Sequence, residues 1–157
     1  MQQVYDRLFV GDLSDCSTTR VGWAVIHACK SPCHQFAVGY RGSLTADHPN
    51  YLVLERGDDL FLNMIDPPFP LFKMESFTEF LRFAHERWKR QITLLIHCNQ
   101  GESRAPALAL LLMSKRLGVL SPVSYNEAAQ EFSDMYPAYR PGHGIRTFLM
   151  EHWEAIK

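Results

Sequence analysis

Ile92-Thr93-Leu94-Leu95-Ile96 runs directly into His97-Cys98-Asn99-Gln100-Gly101-Glu102-Ser103-Arg104, and a helix-forming stretch begins at Ala105. The first five residues are apolar or β-branched throughout, as in a central strand covered on both faces. The stretch from Ala105 to about Leu117 is helical in character and stops at Gly118, a residue suited to the position just past a helix end. A tight loop joining a strand's C-terminus to a helix's N-terminus gathers backbone N–H groups toward one point. The helix dipole adds positive potential there, so the predicted product is an anion cradle. Gly101 would supply a backbone conformation that a side chain obstructs.

A cysteine opens this cradle and an arginine closes it. Positive surroundings favour the thiolate, the nucleophilic form of cysteine. Arg104 offers a planar fork that holds two phosphate oxygens and follows charge as it develops during transfer. Nucleophile and clamp in one loop predict covalent catalysis through a phosphocysteine on Cys98. Asn99, Gln100, Gly101, Glu102, Ser103 and Arg104 are the expected phosphate-binding residues, with the Glu102 side chain turned to solvent. A cysteine at a strand end is by itself more often an inert small hydrophobe. The specificity comes from conjunction: His just before it, Gly third after it, Arg sixth after it, and a strand–loop–helix around all of them.

Outward from this loop, short apolar runs at 8–10, 21–28, 36–38, 51–54, 60–65 and 92–97 are bounded by Gly, Pro, Asn or Asp and predict strands. Phe77, Phe80, Leu81, Ala84 and Trp88 recur at helical spacing behind a capping box formed by Ser76 and Glu79. Ser124 and Glu127 open a further short helix, through about Met135, and Ile145, Phe148, Leu149, His152 and Ile156 share one face of a last one. Strands, a helix, one very apolar strand and then mostly helix predict an α/β domain. Its architecture is a central mixed, mostly parallel sheet flanked by helices, as a single domain over residues 1–157.

The 157 residues are 46% hydrophobic and 21% charged, with a net charge of −1, which suits a globular chain with one core. That balance argues against broad attraction to nucleic acid or anionic membrane. No apolar run is long enough to cross a bilayer. The opening residues lack a signal-peptide pattern, and the four cysteines read as reduced thiols, so a cytoplasmic protein is expected. His27-x-Cys29-x3-Cys33-His34 contains zinc-ligand types at a spacing that matches no common structural zinc pattern. A loop of free thiols is expected there, with no metal and no cofactor.

Phosphate transfer needs a proton for the leaving oxygen. Asp66 is the candidate acid: it ends an apolar run and precedes Pro67-Pro68, which stiffen a loop able to present it over the pocket. The plainer alternative is an Asp that starts a turn. Asp58 and Asp59, after Gly57, read as a hairpin turn.

At these residues the sequence resembles the protein tyrosine phosphatase superfamily, in its dual-specificity branch, whose loop reads H-C-x-x-G-x-x-R. Residues 5–11, 62–66 and Pro141-Gly142-His143-Gly144 are similar to the family's opening strand, the segment before its acid loop and the stretch before its last helix. The resemblance implies the cysteine-phosphatase fold and a phosphorylated protein or peptide substrate, on Tyr with Ser or Thr as the dual-specificity extension. It also implies that Asp66 serves as base for the second step; its place 32 residues before Cys98 is similar to the family's spacing. His97 is implied to act from behind the loop by tuning the thiolate; from the residues alone it could equally be a core histidine. Ala105 departs from the family, which mostly places Ser or Thr there to stabilise the departing thiolate. The phosphatases of regenerating liver share Arg-Ala-Pro, matched by Arg104-Ala105-Pro106. The expectation is a working enzyme that accumulates cysteinyl-phosphate, with a catalytically weak phosphate-binding module as the alternative. An RNA 5′-phosphatase is a further use of this architecture, disfavoured by the neutral charge. The loop lacks the extra lysines of lipid-phosphate members.

Overall fold

The computed structural model describes residues 1–17 and 20–157. Strands form at β1 (Gln2–Tyr5), β2 (Leu8–Gly11), β3 (Trp23–Ala28), β4 (Val53–Arg56), β5 (Asp59–Leu62) and β6 (Thr93–His97). Helices form at α1 (Gln35–Val38), α2 (Met74–Lys89), α3 (Arg104–Lys115), α4 (Tyr125–Met135) and α5 (His143–His152). A 3-10 turn spans Leu13–Asp15 and a π-helical turn Lys30–His34.

The strands make one sheet in the order β1-β2-β6-β3-β5-β4. The inner strands β2, β6, β3 and β5 are mutually parallel, and each edge strand joins by an antiparallel hairpin. The fold is therefore α/β with a mixed, mostly parallel sheet, as the sequence predicts. Parallel strands deliver their C-terminal ends to a common edge. Gly11, His97, Ala28 and Leu62 end there together, and the eight-residue loop starts from that edge.

Alternation along the strands divides the interior. Leu8, Val10, Leu94, Ile96, Ala24, Ile26, Ala28, Leu60 and Leu62 join the large core that includes α2 and α3. Phe61 and Cys29 point the other way and pack with Cys33. Leu94, Leu95 and Ile96 are all fully buried, so β6 is covered on both faces. Each such side chain stabilises the fold by about 1.5–3 kcal/mol. α3 is buried from Arg104 through Ser114, packed on β2 and β6 with α2 and α4 alongside.

Several local expectations fail, each for an identifiable reason. Residues 36–38 are helical, not a strand: Gly39, at φ 94°, closes a single helical turn by donating its N–H to Gln35 O at 2.8 Å. Phe36 is 90% exposed, so its apolar character marks no core position. Ser76 and Glu79 form no capping box. α2 begins earlier, with Lys73 at its N-cap position, and Ser76 is buried inside the first turn. Phe72 packs edge-on to both Phe77 and Phe148 and draws the chain into the core before Ser76 is reached. Asp59 belongs to β5 rather than to the turn, and residues 63–65 leave the strand to begin the Asp66 loop. The Ser124 cap does form, with Glu127 N–H donating to Ser124 Oγ at 3.2 Å. β1 lacks the apolar signature that marks the inner strands and was not anticipated.

Candidate active site

The loop after β6 closes around Cys98, which is 2% exposed. Gly101 N–H points at Cys98 Sγ at 3.3 Å, so the loop turns a backbone donor inward toward the sulfur. Gly101 adopts φ 73°, and a Cβ there would sit 3.0 Å from Gly11 O. Both conformation and room therefore demand glycine. Two backbone bonds moor the loop to the end of β2: Cys98 N–H to Gly11 O and Leu13 N–H to Asn99 O. Tyr136, from the end of α4, donates its hydroxyl to Gly101 O at 2.6 Å. Burial pushes the Tyr136 hydroxyl above its ordinary value and keeps it a neutral donor.

Arg104 is nearly buried at the first position of α3. Its Nη1 donates to Met64 O at 2.9 Å and to Ala28 O at 3.1 Å, and its Nη2 donates to Asn99 Oδ1 at 2.8 Å. Those partners orient the guanidinium plane before any anion arrives. Asn99 is itself fixed, because its Nδ2 donates to Ser31 O at 3.0 Å. Arg104 Nε is buried and has no partner within the protein. A buried unpaired donor costs about 1–3 kcal/mol, so this N–H suits an anionic acceptor.

Ser103 precedes α3 but does not cap it; its hydroxyl accepts the Gly142 N–H at 2.8 Å. Glu102 O accepts the Arg140 N–H at 2.7 Å, and the Gln100 side chain is exposed. The segment before α5 thus braces the far wall of the loop. The same segment receives Asp66. A Cβ on Gly142 would overlap Asp66 Oδ1, and Gly144 N–H donates to Pro67 O at 3.2 Å. Asp66 is exposed on a loop pinned beside the residue that contacts Ser103. Cys98, Arg104 and Asp66, the predicted nucleophile, clamp and acid, therefore lie on connected segments at one rim.

His97 is completely buried, on the side of the sheet away from α2 and α3. Its Nε2 lies 2.7 Å from His27 Nδ1, and its Nδ1 faces Cys98 O at 3.4 Å. Ala105 is also fully buried, in the first turn of α3. Tyr136, Gly142 and the carbonyls of Ala28 and Met64 were not singled out as site residues from sequence. They act through backbone atoms, a single hydroxyl or the lack of a side chain, and none of these leaves a compositional mark.

No protein-family model matches the chain, and no curated protein matches it in sequence. Solved structures do match its fold. Human tyrosine phosphatase-like serine/threonine/tyrosine-interacting protein is 20% identical at a TM-score of 0.68, over 99% of this chain and 96% of that one. Human DUSP28 is 16% identical at 0.68, over 98% and 96%. DUSP15 is 19% identical at 0.68, over 99% and 88%. Over nearly its whole length, this chain has the fold of the dual-specificity branch of the protein tyrosine phosphatases.

Proposed function

We propose that the chain is a cysteine-dependent phosphomonoester hydrolase acting on phosphorylated protein or peptide. The observation that carries this reading is the Arg104 guanidinium: buried, held in plane by three acceptors with its Nε left unpaired, six residues after a buried thiol in the same loop. Arg20 Nε and Arg87 Nη1 are buried without a partner as well, so it is the place of Arg104 in the same loop as the thiol that points to an anion.

Cys98 Sγ attacks phosphorus and displaces the substrate oxygen, which takes a proton from Asp66. Asp66 then accepts a proton from the water that attacks the phosphocysteine and returns Cys98 as thiolate. Arg104 Nε and the loop amides hold the equatorial oxygens through both steps. The names of the structural matches, dual-specificity phosphatases among them, support a phosphoprotein substrate and accommodate phosphotyrosine together with phosphoserine or phosphothreonine. Among the described residues no helix is long and apolar enough to cross a membrane. All four cysteines are free, which suits a reducing cytoplasm.

Hydrolysis of a small aryl phosphate by the wild type, Cys98→Ser and Asp66→Ala tests this reading. Cys98→Ser is expected to be inactive, and Asp66→Ala to fall by about 10²-fold or more. Equal rates for all three would refute hydrolysis through Cys98. Ala105 favours a second reading, a phosphate-binding module of low turnover, because the buried start of α3 carries no hydroxyl at that position. Retention of a phosphopeptide without its cleavage would identify that module.

A further inference from the structure

Three buried groups, His27, His97 and Cys33, and one exposed thiol, Cys16, lie behind the loop and take no step in the proposed reaction. Register aligns His27 of β3 with His97 of β6, so both rings project from neighbouring strands onto the sheet face away from α2 and α3. Cys16 reaches them from the segment after the 3-10 turn, and Cys33 from the π-helical turn. Cys16 Sγ, Cys33 Sγ and one nitrogen from each histidine lie within 4.8 Å of one another. Cys16 Sγ is 3.5 Å from His27 Nδ1, which is 2.7 Å from His97 Nε2.

We propose that Cys16, His27, Cys33 and His97 form a tetrahedral zinc site that locks the strand entering the catalytic loop. Two thiolates and two imidazoles are the donor set of closed structural zinc centres. Zn–S bonds of about 2.3 Å and Zn–N bonds of about 2.0–2.1 Å place tetrahedral ligand atoms about 3.3–3.8 Å apart. The ligand atoms already surround one point: the two ring nitrogens, 2.7 Å apart, need to part by about 0.6 Å, and pairs as wide as 4.8 Å need to close by about 1 Å.

The groups around the ligands make the stronger case. A zinc-bound histidine characteristically donates its other N–H to a carboxylate or carbonyl. His27 Nε2 lies 2.9 Å from Asp59 Oδ1, and His97 Nδ1 faces Cys98 O. With metal on His27 Nδ1 and His97 Nε2, both outer nitrogens carry protons and both contacts are hydrogen bonds. In a neutral metal-free cluster, His27 donates to Asp59 and so accepts from His97 Nε2. His97 Nδ1 is then a lone pair facing a carbonyl oxygen. Only metal, or a second proton on a ring with no exposed surface, removes that conflict.

Burial fits a fixed ion with a route inward: His27 and His97 have no exposed surface, Cys33 is 7% exposed, and Cys16 is open to solvent. The local spacing around His27 fails to reveal this site because two of its members are diverted. Cys29 Sγ donates to Ser31 O, while the His34 ring bonds the Tyr40 hydroxyl and Asn50 O. Their replacements, Cys16 and His97, come from distant segments. The ion would clamp β3, β6 and the two segments after β2 and β3, and it would fix His97, one residue before the nucleophile.

Metal content and the spectrum after cobalt(II) replacement test the site without reference to turnover, so failure here is separate from failure of the hydrolase reading. Wild-type protein from zinc-supplemented cultures is expected to carry one zinc per chain. Its cobalt form should show thiolate-to-metal charge transfer and the intense visible bands of tetrahedral cobalt. Cys29→Ser and Cys98→Ser should retain both signals, while Cys16→Ser should lose them with its circular dichroism intact. Cys16 is exposed, so that variant separates ligand loss from unfolding. Chelation should lower Tm by about 5 °C or more. Background metal in the wild type overturns the proposal, as does a cobalt spectrum that survives Cys16→Ser combined with Cys33→Ser.

Discussion

Arg104 shows how a single side chain can be prepared for a ligand by groups that never touch it. Ala28 O, Met64 O and Asn99 Oδ1 fix three N–H vectors, which leaves Nε committed to one direction. The same logic assigns Gly142 a role. Its φ of −61° suits any residue, so the need for glycine is one of room beside Asp66. Gly142→Ala is expected to displace the Asp66 carboxylate and lower kcat by about 10–100-fold, with little change in denaturation midpoint. Quenched-flow turnover alongside urea unfolding checks both parts. At Ala105 the prediction concerns the second step. A serine hydroxyl able to bond the departing thiolate is worth about 1.5 kcal/mol, so Ala105→Ser should speed phosphoenzyme breakdown about tenfold. Trapped ³²P-labelled protein should fall in proportion; equal labelling would show that this hydroxyl is immaterial here.

The β4–β5 hairpin reaches α2 through Arg87, which is 6% exposed and lies over the Phe83 ring at 3.9 Å. Its Nη2 donates to Gly57 O at 2.9 Å and Glu55 Oε2 at 3.2 Å, and its Nε to Asp58 Oδ1 at 3.4 Å. The acidic partners are partly exposed, so water takes up some of what a substitution removes. Arg87→Ala is expected to cost about 1–3 kcal/mol in urea unfolding, from lost packing on Phe83 and an unmet carbonyl at Gly57. Activity per folded molecule should be unchanged, because the hairpin lies away from the catalytic loop.

Across the molecule, one aromatic cluster links the acid loop to the helical layer. Phe77 of α2 stacks on Phe148 of α5 at 4.9 Å, and both meet Phe72, which follows the Asp66 loop. Phe77 is completely buried. Phe77→Ala should cost about 3–5 kcal/mol by opening a cavity between α2 and α5. Its second signature distinguishes it from an ordinary core defect: Phe72 loses its support, so kcat should fall in molecules that remain folded. Isothermal denaturation and turnover on the same preparation measure the two effects.

The strand–loop–helix around Cys98 was legible in the sequence because its signals are local. Strand, cysteine, glycine, arginine and helix follow one another within a dozen or so residues, and backbone geometry forces them around a single point. Short apolar runs similarly marked the inner strands, and period-3.6 patterns the faces of α2 and α5, since burial selects those spacings. Asp66 could be nominated by its place between an apolar run and two prolines, while its seat against Gly142 could not. Tertiary structure alone decided the rest. Phe72 packing moved the start of α2 ahead of Ser76, parallel register set His27 beside His97, and chain crossings brought Cys16 and Cys33 to them. Those outcomes depend on contacts between residues far apart in the chain, which no local pattern encodes.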